Sequence, residues 1–272
     1  MSELVYGEIK TAKKVALVTG SSSGIGANIA LDLSTHGYFI VVTGRDQEKL
    51  NRVVAKCNEI SPDQSDCSAI SFKADLLDLK EIDCLIEFIS SKLGRLDVLV
   101  NNACWRGDHY KEIIRSVADE DLAFDDFRKV MHMNLSVPMY LVQQCLSRLQ
   151  RTQSQALIVI NISSIASHVV VPLHTYSISK ACLSEMSRQL ARTSRRDILS
   201  VAISPGPVLT DERPHHKVMS NMTLMNRVGS TEEISRLVLF AVKNARLLSG
   251  QELFIDGGYT AKQRRVSSVG SN

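Results

Sequence analysis

The chain has 272 residues, 44% of them hydrophobic and 22% charged, which is enough apolar material for one sizeable α/β core. Its formal net charge of +3 is carried by the last segment, 261–272, where Lys262, Arg264 and Arg265 occur without an acid. The rest is formally balanced, so a nucleic-acid-binding face is not indicated. No apolar run approaches the roughly 18 residues of a bilayer span, and the first residues do not read as a secretion signal. Six cysteines (57, 67, 84, 104, 145 and 182) are scattered without a Cys-x-x-Cys pair. They are expected to be free, mostly buried thiols in a cytoplasmic protein with no metal site.

In chain order, short apolar runs rich in β-branched residues fall at 15–19, 39–43, 69–72, 98–100, 157–162, 199–203 and 253–255. Helical periodicity fills the intervals 25–36, 47–60, 79–93, 124–149, 175–193 and 232–243. Near-continuous apolar strands alternating with amphipathic helices predict a doubly wound, Rossmann-type parallel sheet of about seven strands, with helices on both faces. The expected organisation is a single dinucleotide-binding and catalytic domain over 1–260 and a disordered basic tail over 261–272. Within that tail, Arg264-Arg265-Val266-Ser267 resembles a site for a basophilic kinase.

The first strand runs into Thr19-Gly20-Ser21-Ser22-Ser23-Gly24-Ile25-Gly26. Glycines between a strand and a helix let backbone turn tightly and approach a pyrophosphate at the helix N-terminus, so Gly20, Ser22, Ser23, Gly24, Ile25 and Gly26 are candidate cofactor contacts. At the end of the second strand a carboxylate would accept from a ribose 2′-hydroxyl, whereas an Arg suits a 2′-phosphate. Here Gly44 holds the acidic position and Arg45 follows. Asp46 is one step further on and can cap the helix beginning at Gln47. The reading is NADP(H) over NAD(H).

Tyr176 and Lys180 are four residues apart, on one face of a helix. An ammonium beside a phenol favours phenolate and is expected to bring the Tyr176 pKa down toward the range useful for acid–base work. The strand at 157–162 delivers Ser163 and Ser164 at its carboxyl end, where a hydroxyl can donate to a developing oxyanion. Strand register selects Ser164, and counting back from the tyrosine selects Ser163. Asn134 interrupts the helical segment 124–149 just before Pro138, which on residue chemistry alone predicts a kink.

With these motifs in order, the chain resembles the short-chain dehydrogenase/reductase family in its single-domain subclass, over roughly residues 13–260. Further matching elements are Ala74-Asp75-Leu76, Asn101-Asn102-Ala103, Pro205-Gly206-Pro207-Val208-Leu209-Thr210 and Asp256-Gly257-Gly258. The resemblance implies that Asp75, with Leu76 beside it, binds adenine and that Asn101 and Ala103 line the adenosine side. It implies that Thr210 and the Val208 backbone, in the turn opened by Pro205 and Gly206, hold the nicotinamide end. It also implies a catalytic set of Tyr176, Lys180, Ser164 and Asn134, with Lys180 also orienting the nicotinamide ribose. Asn134 would hold, by backbone and side chain, a water linking Lys180 to solvent.

The implied activity is interconversion of a carbonyl and an alcohol on a small molecule, in a homodimer or homotetramer assembled through helices 124–149 and 175–193. A catalytically idle dinucleotide-binding sensor or scaffold is the alternative. Cys104 stands where the family usually has Gly, as either a reactive or a buried structural thiol. The segment from Trp105 and Tyr110 toward Asn134 is longer than usual and is expected to shape specificity. The loop 167–174 and the flap carrying Met219, Met222, Leu224 and Met225 are expected to wall the pocket. The methionines suit a lipophilic substrate or simply pack the lid. Arg213, His215, His216 and Lys217 could attract an anion or be solvated.

Overall fold

The computed structural model describes residues 11–62, 67–107, 124–149, 156–169, 171, 174–193, 197–210 and 216–263. Its strands are β1 (Val15–Thr19), β2 (Phe39–Gly44), β3 (Ala69–Lys73), β4 (Val98–Asn101), β5 (Leu157–Ile162), β6 (Ile198–Pro205) and β7 (Glu252–Ile255). They form one 7-stranded sheet in the order β3-β2-β1-β4-β5-β6-β7, with every pairing parallel. Parallel neighbours need crossovers, and α1 (Gly24–Thr35), α2 (Gln47–Ile60), α3 (Leu79–Leu93), α4 (Phe124–Met131), α5 (Val137–Arg148) and α6 (His174–Thr193) supply those as far as β6. They are followed by α7 (His216–Ser220), α8 (Thr231–Lys243), α9 (Ala245–Leu248) and α10 (Tyr259–Gln263).

Strand alternation sends Val15 and Leu17 to one face and Ala16 and Val18 to the other. The first face packs on α3, α5 and α6 and the second on α1, α2 and α8. Both faces are covered, which is why β1 is buried throughout and reads as a continuous apolar run. The chain winds outward from β1 to β3 and then returns to β4 beside β1. The chain after β1 and the chain after β4 therefore go to helices on opposite faces of the sheet, and the carboxyl ends of these two strands are the place where such sheets bind ligands.

The helical segment expected over 124–149 is three pieces. A π-helical turn, His132–Ser136, separates α4 from α5 and contains Asn134. Pro138 sits in the first turn of α5, where it has no N–H to give the preceding turn, and the ladder widens around it. Two further expectations change. Residues 261–263, assigned to the tail, belong to α10, and Lys262 Nζ donates to Asn221 O at 2.5 Å and Thr223 O at 3.2 Å. Ser267 and the remaining tail lie outside the described residues. The thiols are not mostly buried: Cys57 and Cys145 are, but Cys67, Cys84 and Cys104 are exposed.

The entry to α8 is set by Ser230, whose Oγ accepts from Glu233 N at 3.3 Å while Glu233 Oε2 accepts from Ser230 N at 2.9 Å. Arg227 adds 2.8 and 2.6 Å bonds to the same carboxylate, and these hold its pKa down to about 2. A depressed carboxylate contributes stability above its ordinary range and loses it as pH falls toward the folded value. Ser230→Ala is expected to cost about 1 kcal/mol in urea unfolding at neutral pH. An unchanged midpoint would show that the cap contributes nothing.

Candidate active site

The loops after β1 and β4 are bound to each other before any ligand is considered. Thr19 Oγ1 accepts from Asn102 N at 2.9 Å and Ala103 N at 3.0 Å, while Asn102 Nδ2 donates to Thr19 O at 2.9 Å and Gly20 O at 3.1 Å. This closeness explains two glycines. A Cβ on Gly20 (φ +62) would stand 2.9 Å from Ala103 Cα, and one on Gly26 would stand 2.4 Å from Gly20 O. Ser23, the N-cap of α1, makes no side-chain cap, which leaves first-turn N–H groups for an incoming anion. The buried Asn101 Oδ1, at the end of β4, has no hydrogen-bond partner and suits a ligand donor. These residues fit a dinucleotide: a helix N-terminus for its phosphates and an unsatisfied acceptor for its adenosine side.

The remaining candidate cofactor residues ring the same crevice. Gly44 packs against Ser22, whose Oγ would be 3.3 Å from an added Cβ, and the exposed Arg45 follows. Asp46 is occupied as the α2 cap, accepting from Lys49 N at 3.1 Å. Asp75 Oδ1 accepts from Leu77 N at 3.1 Å, and Leu76 is buried. Thr210 Cγ2 lies 3.6 Å from the Cβ position of Gly24, so the turn after β6 reaches the glycine loop. That turn begins where Pro205 ends β6. Gly206 is needed there because a Cβ would come within 2.7 Å of Asp256 Cα, and Val208 then bridges to Gly229.

At the reacting end α6 carries Tyr176 and Lys180 inward, 7% and 2% exposed. Lys180 Nζ donates to Ile162 O at 2.7 Å and lies 5.7 Å from the centroid of the Tyr176 ring. Burial lowers the Lys180 pKa, with Cys104 acting against this and Arg106 reinforcing it. The expected acidified phenol is not what the free chain shows. Burial and a nearby Cys104 push Tyr176 up to about 12, and Arg106 together with hydrogen bonds from Ser164 and Arg106 offsets only part of that. Burial is the largest of these influences and decides the direction.

The serines separate cleanly. Ser164 Oγ accepts from Ala166 N at 3.2 Å and hydrogen-bonds the phenol. Ser163 Oγ turns away, donating to Lys180 O at 2.9 Å and pairing with Ser184 Oγ at 2.8 Å. Asn134, fully buried in the π turn, accepts from Trp105 N at 2.7 Å and donates to Trp105 O at 2.8 Å and Ser179 Oγ at 2.9 Å. Both amide hydrogens are thereby committed. The side chain is a clamp on the loop after β4, and a relay water would have to rest mainly on backbone.

The short chain dehydrogenase family matches residues 14–218. The chain belongs to this family. It is 28% identical over 253 residues to a 7alpha-hydroxysteroid dehydrogenase of Escherichia coli K12, covering 90% of this chain and 93% of the relative. It is 31% identical to a 3-oxoacyl-acyl-carrier-protein reductase FabG of Staphylococcus aureus, over 90% and 97% of the two chains. A Burkholderia cenocepacia short chain dehydrogenase, solved in complex with NADP, superposes with a TM-score of 0.78 at 28% identity, covering 91% of this chain and 98% of its own.

In this short-chain dehydrogenase several site residues escaped the sequence reading. Asn161 accepts from Asn101 Nδ2 at 2.8 Å and donates to Ser187 Oγ at 2.7 Å, joining β4, β5 and α6. Its signal was present: a polar residue inside the apolar run of β5. Arg106, against the phenol, had none beyond its place in the loop after β4. Cys104, for which a reactive or a buried structural thiol was expected, is exposed and close enough to act electrostatically on both Tyr176 and Lys180. On the flap, Met222, Leu224 and Met225 are exposed, and Leu224 N and Met225 N both donate to Gly257 O, at 3.0 and 3.1 Å. Tyr110, Arg213 and His215 lie outside the described residues, as do the side chains of His216 and Lys217.

Asn134→Ala is expected to strand the half-buried N–H and C=O of Trp105, destabilising the protein by about 2 kcal/mol. It should also red-shift the emission of Trp105, the single tryptophan of the chain. An unaltered spectrum and unfolding midpoint would contradict the clamp.

Proposed function

We propose that this dehydrogenase interconverts a carbonyl compound and an alcohol with NADP(H) as its nucleotide. The observation that carries the reading is the meeting, at the carboxyl ends of β4 and β5, of a buried phenol, a serine hydroxyl bonded to it and a buried ammonium one turn away. The dinucleotide would be held by Gly20, Ser22, Ser23, Gly24, Ile25 and Gly26 at its phosphates and by Asp75, Leu76, Asn101 and Ala103 at its adenosine. Pro205, Gly206, Val208 and Thr210 would lie beside its nicotinamide. When bound, it supplies or accepts the hydride.

The protein's own groups manage the proton and the charge. Tyr176, neutral because burial holds its pKa high, donates the proton to the substrate oxygen in reduction. Ser164 donates to the same oxygen as negative charge grows on it. Lys180, fixed under Ile162 O, holds positive charge near the phenol and is placed to contact the nicotinamide ribose. Asn134 positions the loop that carries Cys104, Trp105 and Arg106. The preference for NADP(H) is supported by Arg45, exposed where a 2′-phosphate would sit, and by Asp46 being engaged as a helix cap.

A homo-oligomer is supported by the apolar face shared by α5 and α6, where Met139 and Leu146 are 46% and 41% exposed beside Val142 and Leu190. Among the described residues no helix is long and apolar enough to cross a membrane, and a cytoplasmic location is consistent with that.

A panel of ketones and aldehydes, followed by loss of NADPH absorbance, tests the function. Turnover is expected, with NADPH exceeding NADH in kcat/KM. Tyr176→Phe should lose at least about 100-fold in kcat while retaining NADPH affinity. Substantial turnover by that variant would remove the phenol from the reaction, and higher kcat/KM with NADH would reverse the cofactor assignment.

A further inference from the structure

Glu252 opens β7, the edge strand of the sheet, and no step of the reaction above uses it. Its side chain is only 7% exposed. An apolar residue of similar size would fill such a place without the cost of desolvating a charge, so a buried carboxylate is weak evidence of a purely stabilising role. The groups around it all donate. Oε1 accepts from Ser204 Oγ at 2.6 Å and Ser184 Oγ at 2.8 Å, and Oε2 accepts from His168 Nε2 at 2.9 Å, with Arg188 Nη1 3.6 Å away. A carboxylate only accepts, so that imidazole nitrogen carries the hydrogen.

Two of these ties bracket Ser164. With its hydrogen on Glu252, Ser184 Oγ accepts from Ser163 Oγ 2.8 Å away, whose hydrogen it shares with Lys180 O at 2.9 Å. His168 follows Ser164 by four residues. Between them the chain makes one 3-10 turn, Ile165–Ser167, with Ser164 as its N-cap. Ser167 N donates to Ser164 O at 3.0 Å and His168 N to Ile165 O at 2.9 Å, so the turn is closed on itself and moves as a unit. Its front is fixed by Ser163, whose N donates to Ile203 O at 2.7 Å. Its rear is fixed by the His168 ring, which bonds Glu252 and lies edge-on to Phe254 at 4.9 Å, two residues along the same face of β7.

We propose that Glu252 is a positioning residue: through Ser184 and His168 its carboxylate holds both ends of the turn that aims the Ser164 hydroxyl at the substrate oxygen. This role rests on the carbonyl-reductase reading, in which that hydroxyl donates to the growing alkoxide. Ser164 Oγ accepts from Ala166 N at 3.2 Å inside the same turn, so a tilt of the turn carries the hydroxyl with it. Misplacing a reacting group by about 1 Å costs on the order of 100-fold in rate. None of the residues assigned to the dinucleotide lies on this turn, so its affinity is untouched.

The test measures Glu252→Leu and His168→Phe alone and combined with Ser164→Ala, on the best-reduced carbonyl of the NADPH panel. Glu252→Leu fills the same volume without accepting a hydrogen bond. His168→Phe keeps a ring against Phe254 at a side chain 36% exposed, and carries the test alone should Glu252→Leu not fold. Each is expected to lower kcat by about 10- to 100-fold with KM for NADPH unchanged. Glu252→Gln should keep most of the rate, because its amide can accept from the serines and donate to the other imidazole tautomer. In the Ser164→Ala background neither Glu252→Leu nor His168→Phe should cost anything further, since the hydroxyl they position is gone. Full kcat in His168→Phe, or a loss that multiplies with that of Ser164→Ala, would overturn the role while leaving carbonyl reduction intact. Deuterium uptake by amides 165–169 reads the tie without turnover and should rise in His168→Phe while uptake over β5 stays the same. Unchanged uptake at 165–169 would overturn the tie. Faster uptake there, with no carbonyl reduced by the wild type, would uphold the tie and sink the reductase reading instead.

Discussion

The site depends on one buried ion. Taking an ammonium out of water costs several kcal/mol unless polar atoms replace the solvent. Lys180, 2% exposed, recovers part of that cost from the Ile162 carbonyl at 2.7 Å, at the last residue of β5. The bond pins α6 to the carboxyl end of the sheet and so fixes Tyr176, one turn earlier on the same helix face. The same burial that makes the lysine expensive keeps the phenol protonated. A neutral phenol is the form that the proposed reduction needs in order to donate a proton to a nascent alkoxide. The reverse of the proposed reaction would need phenolate, which a raised pKa moves to high pH.

Behind this pair, polar side chains inside the core hold the strand ends in position. Asn101, Asn161 and Ser187 connect β4 through β5 to α6. Ser163 and Ser184 continue to Glu252 on β7, a carboxylate that also accepts from Ser204 at 2.6 Å and from His168 at 2.9 Å. Burial works against charge on Glu252, yet the hydrogen bonds from Ser204, His168 and Ser184 outweigh it and lower its pKa. Such networks are costly when half satisfied and rigid when complete. Their reach from β4 to β7 explains how a phenol, a serine and a lysine from two elements keep one geometry.

The sheet was legible because both its faces are covered, so each strand appears as an apolar run, and β1 and β5 begin and end where the pattern placed them. The glycine loop and the Tyr176–Lys180 spacing were legible for a similar reason: backbone approach and helix periodicity leave direct marks on residue type. What escaped was set by tertiary packing. Asn134 and Pro138 marked a break in the helix, but the clamp of Asn134 on Trp105, 29 residues away in sequence, left no local mark. The Tyr176 pKa moved opposite to expectation because a neighbour four residues away says nothing of desolvation. The approach of Arg106 to the phenol follows from how the loop after β4 folds back, which no local pattern records.

The most direct measurement is a spectrophotometric titration of the free protein, wild type minus Tyr176→Phe, reading phenolate absorbance. The account predicts that this one phenol ionises above the ordinary tyrosine value of 10.0, near 12. An ionisation near neutrality in the absence of nucleotide would contradict it, because the neutral proton donor on which the mechanism rests would not be there.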